Sequence, residues 1–300
     1  AEGGRRFVLV GGVKLQVDTA AGIWPLSVER YVGGGTAPDV EGFLESFSSE
    51  PWPTWHFRLP DGTRLRHELF VERGGATYLS FTLEAGSGPV TLHVRPFLAG
   101  RDYHAVMHEN GAFRFEPQHE EGRTVFRPYE GVPAVSITSA SHGTYHHEPH
   151  WYRQFHLPEE EARGLDAVED LATPGELRFD LRRGPATLAL AAGEARPRAF
   201  EAARAGELAR RRALGTALDR AADAYVVDRA EGGKTIIAGY PWFTDWGRDT
   251  FIAVRGLCLA RGRLDEARDV LLRWTSVVSN GMLPNRFPDA GQAPEYNTVD

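Results

Sequence analysis

The residues of this chain best suited to chemistry lie in one short stretch, from Gly239 to Asp249. It combines several aromatic rings with two carboxylates, Asp245 and Asp249, and one guanidinium, Arg248. An aromatic ring packs against the apolar C–H face of a sugar, while carboxylates accept hydrogen bonds from its hydroxyls and Arg donates to them. Phosphate sites instead use Gly-rich loops or clustered cations. The combination therefore indicates a neutral, polyhydroxylated ligand.

Both acids of this stretch also have a structural interpretation. Asp249 precedes Thr250 at the start of an apolar helical pattern, where a carboxylate can cap free backbone N–H groups. Asp245 shares a helix face with Asp249 if the intervening residues are helical, and an ion pair to Arg248 is the alternative. The sequence leaves these alternatives open.

A second group of polar residues follows in the loop after Asn280-Gly281. Long loops between helices are where binding residues concentrate. Arg286, Glu295 and Asp300 are candidates for substrate contacts or for structural ion pairs, and Asp300 can also cap a following helix. The full set of candidate substrate-binding residues is Trp242, Asp245, Trp246, Arg248, Asp249, Asn285, Arg286, Glu295 and Asp300.

The elements that must position these residues follow two patterns. From Arg5 to about Ala192, short alternating runs such as Val13/Leu15/Val17 lie between turn signals, which is typical of antiparallel strands. A strand is also expected at Phe113/Phe115. The pattern predicts a large antiparallel β-sandwich over residues 1–194, a linker over 195–206 and the start of a separate helical domain over 207–300.

Three helices are predicted in the second part of the chain. The first has an apolar stripe through Leu214, Leu218, Ala221, Ala222 and Tyr225. The segment from Thr250 to Ala260 is apolar nearly all round, as expected of a helix buried on every side. The third begins at Leu264 and stops at Asn280-Gly281. This order is typical of layered helical hairpins.

Composition narrows the classes of partner. The net charge of −7 over 300 residues argues against nucleic acid or an anionic membrane as the main partner. Neither a signal segment nor a membrane-span-length apolar run occurs, so a cytoplasmic protein is expected. The only cysteine, Cys258, is interpreted as a small core residue. The histidines from His142 to His150 lack ligand-like spacing, so we expect neither a metal nor another cofactor.

Several motifs resemble the amylo-alpha-1,6-glucosidase family of glycogen debranching enzymes, prokaryotic type. They are the stretches from Ile237 to Thr250, Leu283 to Asp289 and Pro294 to Asp300. Segments from Phe43 to Phe47 and from Trp151 to Phe155 resemble the N-terminal domain of that family.

The resemblance implies a β-sandwich followed by an (α/α)6 barrel, a six-hairpin fold of which this chain would hold only the first helices. It implies that Trp246, Arg248 and Asp249 hold the terminal glucose. For Trp151-Tyr152 two positions are open: over the barrel mouth, or in an aromatic interface between domains.

The reaction implied is hydrolysis of α-1,6-linked glucose at branch points of glycogen or limit dextrin, by an inverting acid/base mechanism. In the family, the proposed acid lies on a later Trp-Met-Asp segment and the proposed base near the far end of the barrel. Neither segment occurs before Asp300, so we expect the catalytic residues downstream and the 300-residue chain alone to be inactive. A glycoside phosphorylase of similar architecture and a non-catalytic glucan-binding fragment are the alternatives.

Overall fold

The computed structural model describes residues 6–37, 40–73, 75–120, 122–140, 142–193, 195–229, 232–240, 242–286 and 296. The chain divides into two units, Phe7–Leu208 and Ala209–Asp300 together with Ala1–Arg6. We call the first the sandwich unit and the second the helical unit.

Seven antiparallel strands form the first sheet of the sandwich unit. They are β1 (Phe7–Thr19), β2 (Gly22–Pro25), β3 (Glu29–Tyr31), β4 (Gly35–Ala37), β9 (Val90–Asp102), β13 (Gly143–His156) and β14 (Val168–Asp180). Their order is β2-β1-β9-β14-β13-β3-β4. Alternate residues of β1 and β9 enter the core, where Leu15 pairs with Val94 and Val17 with Leu92. The alternation in the sequence therefore reports a real buried face.

Eight antiparallel strands form the second sheet. They are β5 (Leu44–Ser48), β6 (Thr54–Arg58), β7 (Arg64–Val71), β8 (Thr77–Ala85), β10 (Pro117–Glu120), β11 (Arg123–Phe126), β12 (Val135–Ser139) and β15 (Ala186–Ala192). Their order is β10-β11-β12-β15-β8-β7-β6-β5. Inward-facing residues of both sheets share one hydrophobic core. The architecture agrees with the predicted antiparallel sandwich.

The strand predicted at Phe113/Phe115 is wrong. These residues lie in a loop, and their rings pack 5.3 Å and 5.9 Å from that of Trp151. Aromatic side chains can hold a loop on a core without ladder hydrogen bonds, so their alternation imitates a strand. Both Trp151 and Tyr152 belong to β13, and Tyr152 packs 5.0 Å from Phe97 within the sandwich unit.

A histidine is stacked inside the sandwich across three adjacent strands. The ring of His67 lies between Trp55 at 4.9 Å and Phe81 at 4.3 Å, and Nδ1 lies 3.1 Å from the Ser80 carbonyl, to which it can donate. Burial lowers the pKa of His67 to about 4, with the bond to Ser80 and the charge of Glu68 opposing. The folded unit therefore holds this ring neutral.

This stack predicts acid sensitivity of the sandwich unit. The unfolded chain binds a proton at His67 below a pH of about 6.5, whereas the folded unit does not until about 4. As the pH is lowered between those values, the free energy of unfolding should therefore fall by about 1.4 kcal/mol per pH unit from this group alone. Urea unfolding of wild type and His67→Phe, followed by circular dichroism across this range, measures it. Parallel pH curves for the two proteins would contradict the assignment.

The helical unit is built around a short hairpin. The strands β16 (Val226–Asp228) and β17 (Lys234–Ile236) follow helix α3 (Ala217–Tyr225) and precede α4 (Gly247–Leu257) and α5 (Leu264–Thr275). The described core of this unit consists of Val226, Ile236, Val254, Cys258, Ala267, Val270 and Trp274. Cys258 is thus a buried core residue, as predicted.

The first predicted helix is divided in two. The two helices are α2 (Phe200–Ala213), through which the chain enters the helical unit, and α3. A separate short helix, α1 (Pro158–Glu161), lies in the sandwich unit. Thr216 then caps α3 through a reciprocal pair of hydrogen bonds with Asp219, which fixes a new helix start. The predicted continuous stripe is therefore wrong, and Leu218 is 79% exposed. The segment 195–206, predicted as a linker, holds the first turns of α2, because its alanines and charged residues favour helix.

The other two predicted helices are present, but their burial and their ends differ in part from the apolar pattern of the sequence. Within the described residues α4 is not buried on every side: it buries Gly247, Thr250 and Val254 but leaves Ile252 69% exposed. Helix α5 begins at Leu264 as predicted and ends at Thr275, before the Asn280-Gly281 turn. The described helices do not by themselves establish the (α/α)6 barrel. Within the described residues, no helix is both long and apolar enough to cross a membrane.

Candidate functional site

The N-terminus of α4 brings the two candidate segments together. Trp246 is the N-cap of this helix, with Gly247, Arg248 and Asp249 in its first turn. The Gly247 amide donates to the Asn285 carbonyl at 2.7 Å, and Trp246 forms an isolated antiparallel bridge with Arg286. Residues separated by almost forty positions therefore meet through backbone pairing.

These segments enclose a hollow of about 110 Å³. Four candidates line it: Trp246, Arg248, Asp249 and Asn285. Ligand pockets for whole small molecules are about 300–1,000 Å³, so the described hollow has room for only part of a ligand, such as the edge of one ring. The remaining lining residues are Gly247, Phe251, Leu283 and Pro284.

The other candidates have different positions. Arg286 is paired with Trp246 through the backbone and is half-buried. Trp242 is half-buried and does not belong to the described lining of the hollow. Glu295 and Asp300 lie outside the described residues.

Asp249 presents its carboxylate to solvent at the hollow. It is exposed at the third position of α4, where a negative charge is favoured by the helix dipole. Within the described part of the chain, this carboxylate has no hydrogen-bond or ion-pair partner, so a capping hydrogen bond is not formed there. Its oxygens are open to accept from a ligand.

Asp245 is held in a different environment. Only 5% of the residue is exposed. Its carboxylate accepts from the Arg229 guanidinium and, at 2.8 Å, from the Thr235 hydroxyl. Burial raises the pKa of Asp245, and Arg229 and Thr235 oppose that shift. The alternative of an ion pair to Arg248 is wrong, because the Asp245 carboxylate bonds to Arg229 and Thr235 of the β16–β17 hairpin. These bonds fix the hairpin to the chain just before Trp246.

Sequence reasoning missed Arg229 and Thr235 as supports of this site. The signal was present, because β-branched residues on both sides of Gly232-Gly233 are typical of a hairpin. Such a hairpin places residues from its two strands side by side. Partners for a following acid could have been sought there.

Gly247 sets the fit between α4 and the loop before Arg286. A Cβ at this position would lie 3.1 Å from the Pro284 carbonyl oxygen and 3.3 Å from the Trp274 ring. We expect Gly247→Ala to lower the free energy of unfolding by about 1–3 kcal/mol through overpacking, although alanine favours helix. Chemical unfolding monitored by tryptophan fluorescence measures this.

The same helix offers a matched control. A Cβ at the exposed Gly256 would meet nothing within 4 Å, so Gly256→Ala should raise the free energy of unfolding by up to about 1 kcal/mol. Stabilisation by both substitutions would show that the contact at Gly247 does not constrain the site.

Comparison with known proteins supports one family for both units. A family model described as glycogen debranching enzyme N terminal matches residues 2–187. The chain belongs to the glycogen debranching enzyme family. A second model of the debranching enzymes, described as amylo-alpha-1,6-glucosidase, matches residues 220–300 and so contains the hollow at α4.

A curated relative is the glycogen debranching enzyme of Saccharomyces cerevisiae, which is 40% identical over 75 residues. The match covers 23% of this chain and 5% of the yeast debranching enzyme. The resemblance read from the motifs is thereby confirmed at the level of the family. Among the described residues, no group of three or more His, Cys, Asp or Glu side chains is placed to hold a metal ion.

Proposed function

We propose that the protein containing this chain is a glycoside hydrolase that removes α-1,6-linked glucose at branch points of an α-glucan such as glycogen or limit dextrin. The observation that carries the proposal is the convergence of Trp246, Arg248, Asp249 and Asn285 on one hollow. That hollow lies in the part of the chain matched by the amylo-alpha-1,6-glucosidase model. The indole, guanidinium, carboxylate and amide groups of these four residues together suit a neutral sugar.

In this proposal the described residues bind the terminal glucose, and other residues perform the proton transfers. An inverting glycosidase needs a general acid and a general base with carboxyl groups about 6.5–9.5 Å apart. Of the described residues that line the hollow, Asp249 is the one carboxylate. We assign Asp249 to hydroxyl recognition, and we place the acid and base beyond residues 1–300.

The helical unit is proposed as the start of an (α/α)6 barrel whose mouth holds this site. Support comes from apolar side chains that remain exposed on its helices: Ile252, Leu264 and Leu272 are 69%, 63% and 59% exposed. Further helices packed on these side chains would remove them from water.

Glucose release from a limit dextrin tests the proposed function. We expect a longer product of the same reading frame to release free glucose without phosphate, and the 300-residue chain to release none. Formation of sugar 1-phosphate that depends on added phosphate would instead establish the phosphorylase alternative. Full turnover by the 300-residue chain would show that the acid and base are wrongly placed, and binding without turnover by the longer product would leave a glucan-binding protein.

A further inference from the structure

A second concavity lies in the sandwich unit. It is a cleft of about 770 Å³, and all of its described lining residues come from that unit. The volume falls within the range of about 300–1,000 Å³ typical of ligand sites. Its lining includes Gly12, Val28, Glu29, Phe97, Phe155 and Glu169.

One wall of the cleft is aromatic. The ring centroids of Phe97 and Phe155 are 5.2 Å apart, and that of Tyr31 lies 5.2 Å from Phe155. Phe97 and Phe155 are 3% and 8% exposed, so a small part of each ring reaches the cleft. Val13 and Leu171 add aliphatic surface. Such a wall favours a ligand with an apolar face.

A buried carboxylate in the lining has unused hydrogen-bonding capacity. Glu29 is 6% exposed, and its Oε1 accepts from the Ser27 hydroxyl at 2.8 Å. Its Oε2 lies 4.0 Å from Lys14 Nζ, which is too far for a hydrogen bond. Within the described residues, Oε2 has no hydrogen-bond donor. This oxygen is therefore open to accept a hydrogen bond from a ligand hydroxyl in the cleft.

The buried acids at the cleft each face a cation, and the exposed Arg30 adds one further positive charge to its lining. Glu169 is 2% exposed, and its two oxygens accept from Arg101 at 2.7 Å and 3.2 Å. The other buried acid, Glu29, faces Lys14. An anionic group beside Glu29 would be repelled by its carboxylate, and a cationic ligand would be opposed by Lys14, Arg101 and Arg30. A purely apolar ligand would leave Glu29 Oε2 without a donor.

We propose that this cleft binds a short neutral oligosaccharide, with one hydroxyl donating to Glu29 Oε2, a neighbouring hydroxyl accepting from Lys14, and a sugar face on the Phe97 and Phe155 wall. It is a second sugar site, separate in its residues from the hollow at α4. Naming the sugar as an α-glucan segment rests on the proposed function, whereas the chemical class rests on the cleft alone.

Gly12 offers a way to fill the cleft without straining the fold. It pairs with Phe97 across β1 and β9, and a Cβ there would meet nothing within 4 Å. Gly12→Leu should therefore place its side chain in open space. Gly111 has the same freedom in an exposed turn that does not line the cleft, so Gly111→Leu is the matched control.

Isothermal titration with maltotriose tests the proposal. Because the hollow at α4 is itself a proposed sugar site, every protein in the series carries Asp249→Ala. We expect millimolar binding to the parent, binding at least about tenfold weaker after Gly12→Leu, a several-fold loss after Glu29→Gln, and no change after Gly111→Leu. Circular dichroism establishes that each variant is folded.

Should Gly12→Leu fail to fold, Val28→Trp fills the same cleft from a position that is 44% exposed. Undiminished binding in a folded, filled variant would overturn the proposal, as would the absence of maltotriose binding by the parent. Glucose release by the longer product is measured separately, so failure of the cleft and failure of the proposed hydrolase are distinguishable.

Discussion

In the longer product that we propose to be a hydrolase, Asp249→Ala is expected to lower kcat for glucose release from limit dextrin by about a hundredfold or more, which corresponds to about 2.7 kcal/mol of transition-state stabilisation. The reason is that the carboxylate is exposed at the hollow and, among the described residues, has no internal partner. Hydrogen bonds to hydroxyls of the reacting sugar strengthen in the transition state. Steady-state kinetics separate this loss of kcat from a change in KM.

The control for this prediction is Asp265→Ala. Asp265 also lies in the first turn of a helix, α5, and its side chain is 95% exposed. Both substitutions remove a favourable charge from a helix N-terminus, but Asp265 does not line the hollow. We expect nearly wild-type kinetics from Asp265→Ala and similar thermal unfolding for both variants. Equal kinetics in the two variants would leave Asp249 with a helix-dipole role alone.

The sandwich could be predicted from the sequence because its inward residues alternate. Leu15 and Val17 belong to the shared core, and both appear in a run that alternates along the chain. Phe113 and Phe115 alternate too, but they hold a loop. Periodicity reports which side chains are buried and not whether the backbone between them forms a ladder.

The helical unit was harder to predict for two physical reasons. The stripe through Leu218 counted residues that α3 leaves in water, because the capping box at Thr216 and Asp219 restarts the helix and resets its faces. The helix from Thr250 was expected to be buried on every side, whereas α4 leaves Ile252 largely exposed. Apolar composition does not specify which neighbours are present.

The site was predictable as a set of residues but not as a set of contacts. The resemblance of motifs selected both segments, and the backbone bond from Gly247 to Asn285 joins them. The partner of Asp245 is sixteen positions away, across a hairpin. The sequence offered either a helix face shared with Asp249 or an ion pair to Arg248, because spacing along the chain does not include residues brought close by a turn.

Asp245→Ala is expected to have the largest effect on the stability of the helical unit. Asp245 and Thr235 are 5% and 4% exposed, and the Arg229 side chain is 18% exposed. Removing the carboxylate breaks a largely buried ion pair with Arg229 and takes the acceptor from the buried Thr235 hydroxyl, which costs about 3–5 kcal/mol. Chemical unfolding followed by tryptophan fluorescence measures the loss, since Trp246 follows directly and Trp274 lies in the core of the unit.

Two further variants show whether the loss of stability comes from the buried contacts of Asp245 or from any change of charge in the hairpin. Burial raises the pKa of Asp245 against the opposing charge of Arg229, so its surroundings tolerate a neutral group and Asp245→Asn should cost less than Asp245→Ala. Asp228 belongs to the same hairpin, but its side chain is 70% exposed beside Lys234, and Asp228→Ala should cost at most about 1 kcal/mol. If Asp245→Ala cost no more than Asp228→Ala, the bonds of Asp245 to Arg229 and Thr235 would contribute no more than a surface ion pair. The segment from Trp246 to Asp249 would then have to be held by its pairing with Asn285 and Arg286 alone.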